Sequence, residues 1–237
     1  MIVSAPLIIA LRAMPDVAAG KRVHGLAALA DSEALKALTT LRRIAGSGEV
    51  LPLAMHRIVA IATAHADGEQ LLLAALSHAQ ATEMELLQAL SAQLASAPNA
   101  SLLFANDEGP ALLRARALCL GIAMPRLFAA PVAVLAHGLP RCTGTLRETA
   151  ALCGLPRIAE WNAEVIPALS STEILDARAA VEVDALLMEN LGRRQQFVAG
   201  HIDATMQAAA EARSARWLST QAAAHWLPFR SQRGVAA

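Results

Sequence analysis

Alanine and leucine supply 55 and 36 of the 237 residues, and so narrow an alphabet restricts what the chain can fold into. Both residue types lose little side-chain entropy in a helix, whereas the β-branched strand formers are scarce, and aromatics number only seven, with no tyrosine. The expected fold class is all-α, an irregular multi-helix domain of stacked helical hairpins with about ten helices. A hydrophobic fraction of 55% is ample for a continuous core.

Capping signals set the expected organisation. Asp31 or Ser32 can open a helix whose Leu35, Leu38, Leu41 and Ile44 share one face, with Gly46 in the left-handed closing position. The apolar set around Leu53, Ile58 and Ile61 predicts a helix from Pro52 to Ala66, and Asp67 then caps another from Glu69 to Ala79. Three capping boxes, Thr82 with Glu85, Thr145 with Glu148 and Ser170 with Glu173, mark further helix starts. Asp107 and Pro110 open a helix to Ala123, Arg126 to Leu139 is a shorter apolar segment, and another short helix is expected around Ile158 to Val165. These signals divide the chain into an N-terminal helical subdomain (1–97), a loop (98–110), a central helical subdomain (111–192), a long polar C-terminal helix (193–228) and a tail (229–237).

Charge and cysteine content narrow the function classes. Twenty basic and twenty acidic residues give a net charge of zero, so no global field draws nucleic acid or an anionic membrane. Cys119, Cys142 and Cys153 are odd in number and show no C-x-x-C pair, which points to a reducing cytoplasm. The first twenty residues lack a basic region ahead of their apolar run, and the longest uncharged stretch, Leu86 to Asn106, is broken by Gln, Ser, Pro and Asn. No signal peptide and no membrane insertion are expected.

Reactive chemistry is sparse. His24, His56, His65, His78, His137, His201 and His225 are dispersed without a ligand pattern, and His65 beside Asp67 reads as a helix end beside a cap. No base is aimed at a cysteine, and neither a phosphate-binding glycine loop nor a nucleophile elbow occurs. The expectation is no catalytic residue, no metal and no cofactor. A helical enzyme with an apolar pocket lined by Met55, Met84, Met124 or Met188 remains one alternative.

The segment Thr145 to Asn162 has helix-turn-helix spacing, with small Ala150, Gly154 in the turn and Leu155 after it, although Glu160 stands where the second helix would bury an aliphatic residue. A DNA-binding regulator using Arg147 and Arg157 is the second alternative.

Leu118-Cys119-Leu120-Gly121, the apolar run Ala129 to Leu139, Thr145-Leu146-Arg147 leading to Leu152–Leu155, and Thr172-Glu173-Ile174 before a Leu-rich helix form a wider pattern. Over Leu112 to about Leu191 this resembles the cytosolic accessory subunit of the type III secretion sorting platform. The resemblance implies a helical, non-enzymatic protein that docks on a cytosolic face of the apparatus and recruits other subunits. The chain's start lacks the aromatic and histidine-bearing motif of that family.

The leading expectation is a cytoplasmic adaptor or assembly protein whose partners are other protein subunits, with homo-oligomerisation possible and nucleic acid disfavoured. Arg, Trp and Phe dominate interface energies and gather late in this chain, so Arg193, Arg194, Phe197, Arg213, Arg216, Trp217 and Trp226 are the expected protein-binding residues.

Overall fold

A computed structural model describes residues 5–48, 50–138, 145–159 and 170–232. It overturns the all-α expectation, because a five-stranded mixed sheet forms the centre of the molecule. The elements run β1 (Leu7–Pro15), α1 (Val17–His24), α2 (Asp31–Ile44), β2 (His56–Asp67), β3 (Gln70–Ser77), α3 (Glu83–Ser96), β4 (Leu102–Phe104), α4 (Glu108–Leu120), α5 (Pro125–Ala129), β5 (Val132–Val134), α6 (Leu146–Leu152), α7 (Ser171–Val198), α8 (Ala204–Ser219) and α9 (Leu227–Gln232). The strand order is β3-β2-β1-β4-β5. β2 is antiparallel to both β1 and β3, while β4 is parallel to β1 and β5.

The physical reason for the correction is burial on both sheet faces. Ile8, Ala10, Ala62 and Ala64 face a core made with α7, where Leu186, Leu187 and Met188 are fully buried. Leu7, Ile9, Ile58 and Ile61 face a second core made with Leu86, Leu87 and Leu90 of α3 and with α4 and α5. A strand covered on both sides needs a continuous apolar run rather than alternation, and alanine is a small enough filler for the helices to sit close. The register slips between Arg12 and Ala13: Arg12 pairs with Ala60 and Ala13 with Ile58, leaving Val59 as the extra residue of a bulge. Val59 and Ala60 consequently both face the α7 core, and Ile58 turns to the α3 side.

The two helices expected over Pro52 to Ala66 and Glu69 to Ala79 are thus largely β2 and β3, joined at Gly68, whose φ is +54°. The stretch expected as a loop, 98–110, carries β4, which pairs with β1. Where one helix was expected over 193–228, the chain instead finishes α7, turns at Gly200 (φ +73°), forms α8, and ends in a short 3-10 turn and α9. All three capping boxes form, at the starts of α3, α6 and α7. The α1–α2 hairpin closes its own small core of Val17, Ala34, Leu35, Leu38 and Leu51. Positions 160–165 of the expected Ile158 to Val165 helix, Cys142 and the tail after position 232 lie outside the described residues.

Candidate interaction surface

Most of the interior charge is paired internally. Glu83, at the start of α3, accepts from Arg116 Nε at 2.8 Å, from Arg116 Nη2 at 2.6 Å and from the Ile58 N–H at 2.7 Å. Arg116 of α4 also stands 3.0 Å from Asp16, the cap of α1, and donates to the Ala54 carbonyl at 3.2 Å. Burial opposes its charge, but the hydrogen bonds and charge of Glu83, with Asp16, outweigh that and hold its pKa above the ordinary guanidinium value. The cluster ties α1, α3, α4 and the entry to β2 into one corner.

A second cluster lies beneath α7. Asp184 accepts from Arg147 Nε at 2.9 Å and pairs through its other oxygen with Arg12, while Arg147 also donates to the carbonyls of Ala159 and Ala180. These groups border a crevice of about 280 Å³ beyond the carboxyl end of β4, together with Asn106, Gly109 and Thr145. Open parallel sheets often bind ligands in such a place. Here its polar groups serve the fold: Asn106 accepts from the Gly109 N–H at 3.3 Å, and Thr145 caps α6.

The expected partner-binding arginines and tryptophans are drawn into the third cluster and the core around it. Arg193 and Arg213 both contact buried Glu189, at 3.1 and 3.5 Å. Arg213 and Arg216 donate to the Gly68 and Glu69 carbonyls at 3.0 and 3.2 Å, fastening α8 to the β2–β3 turn. Arg194 donates to the Cys153 carbonyl. Trp226 is buried, with Trp217 edge-on at 5.0 Å and Phe229 at 5.9 Å, so these rings hold the C-terminal segment on the body. Of the seven, Arg194, Phe197 and Arg216 are exposed; the two arginines are held by these backbone carbonyls, while Phe197 stands beside exposed Val198.

The other expected sites are also dispersed. Arg147 is 4% exposed and committed to Asp184, which removes it from any phosphate contact, while Arg157 is exposed. Gly154 takes the left-handed conformation and Leu155 packs on the core as the turn motif requires, but 155–159 are not helical and Glu160 to Asn162 lie outside the described residues. Met188, Met124 and Met55 sit in or against three different cores, and Met84 is exposed, so no common pocket unites them. Among the described residues no group of three His, Cys, Asp or Glu side chains could hold a metal, and no helix is long and apolar enough to cross a membrane.

One surface was missed by sequence reasoning: the outer edge of β3. Asp67 pairs with Gln70 across the two-residue turn, and the His78 N–H donates to the Val59 carbonyl at 2.9 Å. In an antiparallel ladder hydrogen-bonded pairs alternate with open ones, so positions 70, 72, 74 and 76 bond β2 while Leu71, Leu73, Ala75 and Ser77 aim their peptide groups outward. The Ser77 N–H is taken by Gln80 Oε1 at 3.2 Å. Those of Leu71, Leu73 and Ala75 have no partner among the described residues. Leu72 and Leu76 stand 43% and 38% exposed, and beside them a crevice of about 200 Å³ opens between the hairpin and α3, lined by Ala74, Leu76, Leu86 and Leu90. Proteins usually blunt an edge with Lys, Pro or a bulge, yet Leu71 to Ser77 contains no charge and no proline. No family model, curated protein or solved structure matches the chain.

Proposed function

We propose that this chain is a non-catalytic assembly protein that joins other protein subunits by extending its sheet at β3. The observation that carries the reading is an uncharged, unblunted edge strand with three outward peptide groups and a side-chain-sized crevice beside it. In strand addition, main-chain hydrogen bonds supply affinity and a pocket for alternate side chains supplies selectivity. The buried carboxylates and guanidiniums support the same reading from the other direction, since their partners are one another. The resemblance of Leu112 to Leu191 to the sorting-platform accessory subunit supplies the setting we put forward, the cytosolic face of a type III secretion apparatus.

Photo-crosslinking in the producing cell tests this. A photoreactive residue at Leu72 or Leu76 should give protein adducts of defined mass, whereas one at Leu118, which is 83% exposed on α4, should not. Equal labelling from all three positions, or none from β3, would remove the proposal.

A further inference from the structure

The geometry points to a second copy of this chain as the occupant of the β3 edge, an inference that rests on reading β3 as the binding strand. The outward peptide groups belong to Leu71, Leu73 and Ala75, evenly spaced about Leu73. A twofold axis at Leu73 therefore matches each group to its counterpart: Leu71 meets Ala75 of the second copy, Leu73 meets Leu73, and Ala75 meets Leu71. Every N–H and C=O of the three residues then gains a partner, and two five-stranded sheets become one.

The side chains obey the same symmetry. On the α3 side the axis places Leu72 of one copy opposite Ala74 of the other. Leu72 is a large exposed side chain, and Ala74 is a small one bordering the 200 Å³ crevice, so each strand offers a knob where the other offers a hole. Like meets like across a twofold axis, and an edge carrying lysine or glutamate would repel its own copy; Leu71 to Ser77 carries neither. On the α7 side Leu73 meets Leu73, partly buried in each copy.

The test uses the full chain with its native cysteines replaced by serine. Light scattering should report a dimer. Leu73→Pro should weaken association about tenfold, because it removes one outward N–H from each copy and no bond to β2. Leu72→Lys, at a position already exposed in the single chain, should do the same with an unchanged circular-dichroism spectrum, so a misfolded proline variant would not leave the inference without a test. The pair Leu72→Cys with Ala74→Cys should form an interchain disulfide on mild oxidation, since facing open pairs lie within disulfide reach. Leu72→Cys alone should not. A monomer whose β3 photo-adducts contain a different protein would overturn the second copy while leaving the assembly reading standing. A monomer with no β3 adducts would overturn both, and a dimer that ignores all three changes would refute this edge as its interface.

Discussion

Removing Glu83 should cost far more than removing an exposed partner at the same hydrogen-bond length. Arg116 Nη2 meets Glu83 at 2.6 Å, and Lys21 meets Asp31 at 2.6 Å on the surface. What separates them is water: the Glu83 and Arg116 side chains are 10% and 5% exposed, whereas Asp31 is 56% exposed. Glu83→Ala leaves a buried guanidinium with only Asp16 and the Ala54 carbonyl, and strands the Ile58 N–H. Breaking a buried pair in this way should cost about 3–5 kcal/mol, against less than about 1 kcal/mol for Asp31→Asn. Arg116→Leu should cost about the same as Glu83→Ala, because the carboxylate is then left unpaired. Glu83→Ala with Arg116→Leu should lose well under the sum of the single losses, a coupling of about 2–3 kcal/mol, since no charge is left stranded between them. Urea titrations of the four variants and the parent measure these losses, and at this chain length each kcal/mol should move the melting midpoint by about 2–4 °C. Equal costs for Asp31→Asn and Glu83→Ala, or strict additivity in the double variant, would refute the argument that burial rather than bond length sets the energy.

Other sites give independent checks. Trp226→Ala should destabilise the chain by about 3–5 kcal/mol in the same titration, as expected for a buried ring and not for a surface anchor. Gly20→Ala should destabilise it by about 1–3 kcal/mol despite alanine's better helix propensity, because the added methyl overlaps buried Leu38 in the α1–α2 core. Burial, then the charge of Arg57, lowers the His78 pKa against the opposing pull of Glu83. The unfolded chain therefore binds the proton more readily, so this stability is complete above about pH 6.5 and is lost as pH falls through the lower folded value. The urea midpoint should drop over that acidic window, and the drop should shrink in His78→Gln.

Helix starts were legible because a cap is local. Thr82, Thr145 and Ser170 each need only a glutamate three residues on, and all three boxes form. The strands were not, because what makes β1 and β2 strands is the pair of helical layers covering them. Leu7 to Ala10 and Ile58 to Ala64 are apolar on both faces, and a short continuous run reads equally as a buried helix. In an alanine-rich chain the residues that would have broken the tie are few: Ile8, Ile9, Ile58, Val59, Ile61 and Thr63 are the β-branched ones. Their concentration in two short windows was the available signal, and Gly68-Glu69 between two apolar runs was the stronger one, since glycine at the first of two turn positions marks a tight hairpin.

The same blindness hid the candidate surface. Arginine and tryptophan late in the chain look like interface anchors when counted by residue type, but a residue type does not say which neighbour it meets first. α8 runs back along α7, so Arg193 and Arg213 meet Glu189 and Trp217 meets Trp226 before any partner arrives. A strand edge advertises itself through what it lacks, a charge or a proline at outward positions, and that lack is visible only once the register shows which positions are outward. In a helix, Leu71 to Ser77 would have kept its peptide groups to itself. As the outer strand of a sheet it presents those of Leu71, Leu73 and Ala75 unpaired, so the correction of the fold class is what moves the proposed binding surface from the C-terminal side chains to the backbone of β3.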